Sequence, residues 1–397
     1  MAADADSPIS DLTTRIRAFV DQELIPLEAA FLKNTHAIEP LLNQKREVVK
    51  KLGLWALAQP KAAGGQGLPL AQFALVSEEL GRTPIGHYVF GVQAPDIGNA
   101  ELMHLFATPE QKEKYLKPLV AGTMRSCFAM TEPNTPGANP TMLETRAERD
   151  GDDYVINGHK WFCSSADGAR FTIIMAVTNP NAATYQRASM FLADTSNPGW
   201  KFVRNIPVMG EAHGGYFAHS EILIENLRVP VGMRLGAEGA GFLLAQERLG
   251  PGRIHHCMRW LGICARAQED LCKRTLSRAI APDKVLADTQ IIQTWIAENA
   301  ADIASSRALV MLVAERAEKH GFKAAREDVS IIKFQVAGAL QRVLDRTLQA
   351  FGALGMTDDA FVAFAFRHER AARIYDGPDE VHKLSVAKQI LKRYRTV

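Results

Sequence analysis

The chain has 397 residues, and its 46 lysines and arginines against 44 aspartates and glutamates leave a formal net charge of +2 at pH 7. Proteins dedicated to nucleic-acid binding carry a marked basic excess, so this near balance argues against that class. No uninterrupted apolar run approaches the ~20 residues of a transmembrane helix, and we expect no membrane partner.

The two ends of the sequence and its cysteines indicate a cytoplasmic protein. Residues 1–6 are acidic and have neither the apolar core of a signal peptide nor an Arg-rich presequence. The last three residues do not match the peroxisomal tripeptide. Five cysteines without a Cys-x-x-Cys pair argue against a disulfide framework and a structural zinc site. We therefore expect a reduced, soluble, cytoplasmic protein without a bound metal.

The first 120 residues predict a series of short helices. Apolar side chains recur at helical spacing over 11–25. Further helices are predicted over 44–54, 70–80 and 109–117, and Pro118 is expected to end the last one. This part of the chain is therefore predicted to be an all-helical domain.

The middle of the chain predicts a small β domain. Short β-branched and aromatic runs alternate with turn residues there. The runs are residues 154–156, 171–177, 188–193 and 221–224. Asn157-Gly158, placed directly after the first run, is typical of a β-hairpin turn.

The last third of the chain predicts a helical bundle. Of 19 prolines, only Pro282 and Pro378 lie beyond Pro251. Proline costs about 3 kcal/mol in a helix interior, so this scarcity leaves the region free to be helical. Apolar residues three and four apart predict helices over 291–320 and 328–351.

These patterns predict an α+β protein of three domains: helical over 1–124, β over 125–234 and a helical bundle over 235–397. Nucleotide-binding fingerprints are absent, because the sequence has neither a P-loop nor a strand-anchored Gly-x-Gly-x-x-Gly. The adjacent pair His255-His256 lacks the i, i+4 spacing of a zinc-binding helix.

Four local segments carry a family resemblance. They are CFAMTEP at 127–133, INGHKWFCSS at 156–165, LQAFGALGM at 348–356 and RIYDGPDEVH at 373–382. Each alone is compatible with a turn, a core tryptophan or a packing kink. In this order, on a helix–sheet–helix layout, they resemble the acyl-CoA dehydrogenase superfamily over nearly the whole chain. APDIGN at 94–99 and DGPDEVH at 376–382 are most similar to the subgroup of mammalian family members ten and eleven and their bacterial relatives.

The fold implied by the resemblance is an N-terminal α-helical domain, a middle β-barrel-like domain and a C-terminal four-helix bundle. The implied reaction is FAD-dependent α,β-dehydrogenation of an acyl-CoA thioester to the 2-enoyl-CoA, as in fatty acid β-oxidation. A carboxylate takes the α-proton while flavin N5 accepts the β-hydride. Electrons would pass to an electron-transferring flavoprotein.

The family's base corresponds to Asp376 in Tyr375-Asp376-Gly377, whereas the alternative family position, just before Arg253, is Gly252. Aspartate reaches about 1.5 Å less far than glutamate, so we expect substrate and base to lie closer together than in Glu-type relatives. The alternative interpretation is that Asp376 only caps the helix that begins near Pro378.

The resemblance implies a set of cofactor contacts. On the β domain they are Phe128, Met130, Thr131, Gly137, Ala138, Trp161, Cys163 and Ser164. On the bundle they are Arg278, Gln349, Gly352, Ala353, Pro378, Asp379 and Glu380. Because Arg278 and Gln349 would serve a neighbouring subunit's FAD, a homodimer or homotetramer is implied. Trp161 as a simple core residue and Arg278 as a solvated helix end remain the alternatives.

The implied substrate contacts are Ala138, Arg253, Gly377, Gln93, Asp96 and Asn99, with Arg253 holding the CoA arm. The Asp376 backbone N–H and the FAD ribityl hydroxyl would polarise the thioester. Gln93, Asp96 and Asn99 are polar for an acyl pocket, which favours an oxygenated or phosphorylated acyl group; alternatively, they buttress the loop 64–68.

Three departures from the family pattern keep other functions open. Cys163 stands where a hydroxyl residue is usual, Gly137-Ala138 occupy the stretch of a usual serine, and Ala281 replaces an aromatic. The alternatives are a flavin oxidase of the same fold with a non-CoA substrate, similar to nitroalkane oxidases, and a catalytically idle CoA- or FAD-binding protein.

Overall fold

The computed structural model describes residues 8–395. Its helices are α1 (Pro8–Phe19), α2 (Glu28–Lys33), α3 (Glu39–Lys51), α4 (Leu70–Leu80), α5 (Gly86–Val89), α6 (Asp96–Phe106), α7 (Pro109–Gln111), α8 (Lys117–Ala121), α9 (Gly241–Ser277), α10 (Gln290–His320), α11 (Arg326–Phe351), α12 (Phe361–Glu369) and α13 (Asp379–Tyr394). Its strands are β1 (Ser126–Ala129), β2 (Arg146–Asp150), β3 (Asp153–Ser164), β4 (Phe171–Val177), β5 (Ala188–Asp194), β6 (Trp200–Asn205), β7 (His219–Pro230), β8 (Arg234–Leu235), β9 (Ala279–Ala281) and β10 (Lys284–Val285).

The chain forms two compact units, and neither is continuous in sequence. The helical unit comprises Met1–Lys33, Pro69–His87 and Gly250–Val397, as far as these ranges are described. The β unit comprises Asn34–Leu68 and Tyr88–Leu249. Within the described part of the chain, no helix is both long enough and apolar enough to span a membrane.

The helical unit is built around the long helices α9, α10 and α11. Buried residues of α11 recur at three- and four-residue spacing and form one core with those of α9. Each fully buried leucine or valine there contributes roughly 1.5–3 kcal/mol relative to exposure. The helices predicted over 70–80, 291–320 and 328–351 are confirmed as α4, α10 and α11, within two residues at each end.

The β unit contains an eight-stranded sheet in the order β6-β7-β3-β2-β4-β5-β8, with β1 pairing β4 in parallel. β4 is buried at all seven positions, so the apolar run 171–177 forms a strand covered on both faces. The four predicted β runs all lie in strands of this sheet.

Two local predictions are wrong. Asn157-Gly158 is not a hairpin turn but a register shift inside β3, where the Asn157 side chain accepts a hydrogen bond from the Asn226 N–H at 2.7 Å. The turn instead falls between β2 and β3, at Gly151 with φ 60°. Pro118 does not end its helix, because a π-helical turn precedes α8 and leaves the proline in the first turn of a new helix, where its missing N–H is tolerated.

Candidate active site

Asp376 lies on a strained loop of the helical unit, between a 3₁₀ turn that ends at Arg373 and α13. Its φ is 54° and that of Gly377 is 99°, both in the left-handed region. A non-glycine residue held there costs roughly 1–3 kcal/mol, although aspartate tolerates the region better than most. The surrounding contacts must therefore stabilise this conformation.

Two side chains hold the backbone carbonyl of Asp376. Arg253 of α9 donates to it from Nε at 3.2 Å, and His382 of α13 donates from Nε2 at 3.1 Å. Burial lowers the pKa of His382 to about 4, so this imidazole is neutral at pH 7. The contact leaves Arg253 beside the loop, and its predicted role in holding the CoA arm stays a prediction.

Lys333 of α11 holds the same segment through hydrogen bonds to two backbone carbonyls. Its ammonium donates to the carbonyls of Ala372 at 2.6 Å and Gly377 at 3.3 Å. The side chain is fully buried and lies 5.3 Å from the ring of Trp260 and 5.5 Å from that of Tyr375. Burial lowers the pKa of Lys333, and the negative charge of Asp376 opposes that shift.

The carboxylate of Asp376 is paired with His256. The distance between His256 Nε2 and Asp376 Oδ2 is 3.2 Å. An ionised carboxylate only accepts hydrogen bonds, so the imidazole donates through Nε2–H. Burial lowers the pKa of His256 in spite of this bond, so the donor is a neutral imidazole near pH 7.

Tyr375, the residue before the candidate base, is held by a buried ion pair. Arg259 donates to Glu369 at 2.6 and 2.8 Å and to the Tyr375 hydroxyl at 2.9 Å, and Trp260 Nε1 donates to the same hydroxyl at 3.0 Å. Although burial opposes it, Arg259 holds the pKa of Glu369 well below its usual range. The Arg259 guanidinium thus makes its hydrogen bonds within the helical unit.

In the β unit, a second buried ion pair fixes the segment that follows β1. Lys160 donates to Glu132 and to the Met130 carbonyl, each at 2.9 Å. Glu132 also accepts from the backbone N–H groups of Glu144 at 2.7 Å and Thr145 at 2.9 Å. Glu132 of the Thr-Glu-Pro segment is therefore a structural residue that joins β3 to the predicted flavin contacts.

The predicted flavin contacts of β3 adjoin those that follow β1. The backbone N–H of Trp161 donates to the Thr131 carbonyl at 3.1 Å. Cys163 is fully buried in the core of the sheet, so its predicted flavin contact stays a prediction. Ser164 shares a 2.8 Å hydrogen bond with His219 Nδ1.

These residues fit a flat, polar ring system such as the FAD isoalloxazine. The Nε1–H of Trp161 is buried and has no partner among the described residues, so an acceptor on a bound group would satisfy it. Phe162, at φ 50°, keeps 42% of its surface exposed beside Trp161, with the two ring centroids 4.9 Å apart. A bound aromatic ligand with an acceptor atom would satisfy the Trp161 N–H and cover the Phe162 ring.

Two of the predicted acyl-pocket residues have other partners. Asp96 Oδ1 accepts from the Ser126 N–H at 2.8 Å and its hydroxyl at 2.6 Å. Asn99 donates to the Ser126 hydroxyl at 2.9 Å and the Cys127 carbonyl at 3.2 Å. Both side chains therefore fasten α6 to β1, and their predicted role in the acyl pocket stays a prediction. Asn99 also accepts from Arg248 Nε at 3.0 Å.

The other predicted site residues are distributed over both units. Those exposed to solvent in the single chain are Gly137, Ala138, Arg278, Gln349, Gly352, Ala353 and Glu380. Those half-buried are Gln93, Phe128, Met130, Thr131 and Pro378. Asp379 is buried, and its Oδ2 accepts from Arg373 Nε at 2.6 Å, so that oxygen is used within the protein.

Sequence reasoning missed the residues that surround the candidate base. His256 was considered only as a zinc ligand, although it lies three residues after Arg253 and hence on the same helical face. Lys333 carries no local signal, because its contacts to the loop depend on the packing of α11. His382 ends the segment 376–382 that carries the resemblance, but sequence reasoning gave it no role. Arg248, which stacks at 4.2 Å over the Phe128 ring, was also missed.

A helix–sheet–helix chain order, together with a carboxylate fixed on a loop of the helical unit, agrees with the class that the resemblance implies, an oxidoreductase of the acyl-CoA dehydrogenase fold. Three domain families match the chain: "Acyl-CoA dehydrogenase, N-terminal domain" at residues 10–123, "Acyl-CoA dehydrogenase, middle domain" at 127–226 and "Acyl-CoA dehydrogenase, C-terminal domain" at 239–391.

Known proteins agree with this class. "Probable acyl-CoA dehydrogenase FadE2" of Mycobacterium tuberculosis is 38% identical over 97% of this chain and 96% of its own length. "Acyl-CoA dehydrogenase family member 11" of Gallus gallus is 37% identical over 95% of this chain, which spans about half (50%) of that relative. A solved structure described as a "putative acyl-CoA dehydrogenase" from Mycobacterium abscessus has a TM-score of 0.93 and 34% identity, over 99% of this chain and 100% of that one.

The chain therefore belongs to the acyl-CoA dehydrogenase family, whose enzymes are FAD-dependent oxidoreductases.

Proposed function

We propose that this protein is an FAD-dependent acyl-CoA dehydrogenase that converts an acyl-CoA thioester to the 2-enoyl-CoA, with Asp376 as the base. The observation that carries the proposal is the fixed carboxylate: Asp376 lies in a strained conformation, its carbonyl is held by Arg253 and His382, and its Oδ2 lies 3.2 Å from His256. A residue kept in a strained conformation by several contacts is typical of a functional site.

Asp376 takes the proton from the α-carbon through the carboxylate oxygen that His256 does not hold. FAD, when bound, supplies the acceptor for the β-hydride. The Asp376 backbone N–H stabilises the developing charge on the thioester oxygen. Gly377 gives the loop its second left-handed residue and brings the backbone to the thioester without a side chain in the way.

FAD would be held by the residues that the family resemblance implies. Those residues are Phe128, Met130, Thr131, Gly137, Ala138, Trp161, Cys163, Ser164, Pro378, Asp379 and Glu380. The unpartnered Nε1 of Trp161 supports the flavin contact. Arg278, Gln349, Gly352 and Ala353 are exposed in the single chain, which suits contacts with a second subunit's cofactor in a homodimer or homotetramer.

The substrate is an acyl-CoA whose CoA arm contacts Arg253, and an electron-transferring flavoprotein accepts the electrons in a cytoplasmic β-oxidation reaction. The hypothesis of an oxygenated or phosphorylated acyl group depends chiefly on Gln93, because the side chains of Asp96 and Asn99 are hydrogen-bonded to Ser126 of β1. Turnover of γ-oxygenated against straight-chain acyl-CoAs tests it: a clear straight-chain preference would overturn this part of the proposal.

The first experiment is an anaerobic titration of the FAD-loaded protein with a panel of acyl-CoAs, followed by flavin bleaching, in parallel with Asp376→Asn. We expect bleaching by at least one thioester, lost in the variant while the thioester still binds. Bleaching by a nitroalkane instead would favour the oxidase. A protein that takes up no FAD would favour the idle binder.

A further inference from the structure

We propose that His256 is a positioning residue for the candidate base: it holds Oδ2 of Asp376 and so presents Oδ1 to the substrate. This inference rests on the proposed dehydrogenase function. An aspartate base has one methylene less than a glutamate and reaches about 1.5 Å less far. Misplacement of a reacting atom by about 1 Å can cost about 100-fold in rate, so a short base depends strongly on its orientation.

One turn of α9 fixes both ends of Asp376. Arg253 donates to the Asp376 carbonyl, and His256, three residues later, faces its carboxylate. Positions i and i+3 of a helix lie on the same face, so both contacts come from one rigid surface. The backbone and the carboxylate of the candidate base are thereby both held by side chains of the same helix.

The imidazole of His256 is itself held in place. Its ring stacks against Trp260 at a centroid distance of 6.0 Å and an angle of 18°. It also meets the ring of Tyr375 edge-on at 5.0 Å and 61°. The rings of Trp260 and Tyr375 also contact each other at 6.0 Å, so His256 packs into a cluster of three rings that restricts its rotation and keeps Nε2 directed towards Oδ2.

The side of the carboxylate that faces Gly252 is open. A Cβ added to Gly252 would lie 3.9 Å from Asp376 Oδ2, so the missing side chain leaves space directly beside that oxygen. His256, one turn further along α9, contacts this oxygen at 3.2 Å and so limits rotation of the carboxylate.

The titratable and charged groups around the pair come from three helices. α9 contributes Arg253 and Arg259 besides His256 itself, α11 contributes Lys333, and α13 contributes His382. Tyr375 on the loop is the remaining titratable group in contact with the His256 ring. Burial lowers the pKa of both histidines, so near pH 7 His256 acts as a neutral N–H donor.

A hydrogen bond to the ionised carboxylate favours the charged form of Asp376. Removing the bond therefore raises the pKa of this carboxyl group. The acid limb of the pH profile for flavin reduction then moves to higher pH, because a higher pH is needed to ionise the base. A purely structural role for His256 would change stability without moving this limb.

The test compares His256→Gln with His256→Leu in the FAD-loaded protein. Glutamine places an N–H donor at a similar reach, and leucine removes it. We expect flavin reduction by the best thioester of the panel to fall by about 10- to 100-fold in the leucine variant. Its acid limb should move upward by about one pH unit, a tenfold change in the protonation equilibrium. The Kd of the thioester should change less than about threefold, and the glutamine variant should retain most of the rate.

His256→Asn is the second removing variant, in case the leucine variant does not fold, because its amide is one methylene too short to reach the carboxylate. His320→Gln, on the exposed end of α10, is the matched control and should leave both rate and pH profile unchanged. The proposal is overturned if glutamine and leucine variants behave alike or if the acid limb stays in place.

A second readout is independent of the acyl-CoA reaction. Infrared difference titration of the FAD-free protein follows the carboxylic acid C=O band that is lost in Asp376→Asn. We expect this band to appear at higher pH in His256→Leu than in the wild type. If no thioester bleaches the flavin but the band shifts, the proposed function fails and the pairing stands. If the band does not shift, the pairing fails whatever the substrate is.

Discussion

Arg259 and Glu369 form a bidentate ion pair at 2.6 and 2.8 Å, and the same guanidinium donates to the hydroxyl of Tyr375, next to the candidate base. The carboxylate is almost fully buried, with 3% of its side chain exposed. The orientation of the loop that carries Asp376 is therefore tied to a charge pair inside the helical unit.

Glu369→Gln should destabilise the protein by about 3 kcal/mol, because it leaves the Arg259 guanidinium without its carboxylate. Since Arg259 lowers the pKa of Glu369, the stabilisation is present above the ordinary value of 4.5 and is lost as pH falls below it. The variant should accordingly lose less stability than the wild type on acidification below 4.5. Urea unfolding across pH 3–7 measures both effects.

The control for this pair is Asp328→Asn, which breaks the more exposed Arg316–Asp328 pair at 2.6 Å. Surface ion pairs contribute about 0–1 kcal/mol, so this change should be small. Equal losses of unfolding free energy in the two variants would contradict the prediction that the Arg259–Glu369 pair stabilises the protein more than a surface pair.

Glu132→Gln should destabilise the β unit by about 3–5 kcal/mol, because Lys160 would remain buried without its counter-charge. FAD retention should fall in parallel, since the pair joins β3 to the segment after β1. Thermal unfolding and flavin content after gel filtration check this. The double variant Glu132→Gln/Lys160→Met should recover part of the stability; no recovery would mean that the lost Glu132 hydrogen bonds to the backbone dominate.

His382 should make the protein lose stability as pH falls from 6.5 to 4. Its pKa is lowered from 6.5 to about 4 in the folded state, so within this window the unfolded chain binds the extra proton. The loss is up to about 3 kcal/mol by the shift alone. In His382→Gln the amide can still donate to the Asp376 carbonyl, and the slope of the unfolding free energy against pH should flatten between 4 and 6.5. An unchanged slope would assign the acid sensitivity to other groups.

Gly377→Ala should disable the loop. Its φ of 99° disfavours any side chain, and an added Cβ would lie 2.7 Å from His382 Nε2. The strain alone costs roughly 1–3 kcal/mol, and the displaced histidine would release the Asp376 carbonyl. We expect a fall in melting temperature and at least a tenfold slower flavin reduction.

Gly321→Ala is the matched control for Gly377. Its φ is 80°, but nothing lies within 4 Å of the added Cβ. It should therefore show the cost in stability without the loss of rate. Equal rates in the two variants would mean that the conformation of the Asp376 loop does not limit the reaction.

Local patterns predicted the elements whose burial repeats regularly. α4, α10, α11 and β4 were predicted nearly to their ends, because a periodic apolar face or a continuous apolar run reflects how the finished element is buried. Turn chemistry was less reliable. Asn157-Gly158 has the residues of a tight turn, but pairing with β7 keeps it inside a strand as a bulge.

The candidate base could be predicted, but its surroundings could not. Asp376 lies in a short motif, and a motif is local. His256 and Lys333, in contrast, reach the loop from helices far away in the sequence. The polarity of Asp96 and Asn99 suggested a ligand, and only the tertiary structure shows that both also have partners in β1.

The sequence by itself determined the order of helical and β segments and the family, and it predicted Asp376 as the candidate base, since each depends on residue types at short spacing. The tertiary structure decided which oxygen of that carboxylate is held, which side chains support its strained backbone, and which polar residues are already used. Those properties depend on distances between atoms on separate helices and strands, and such distances exist only once the chain has packed.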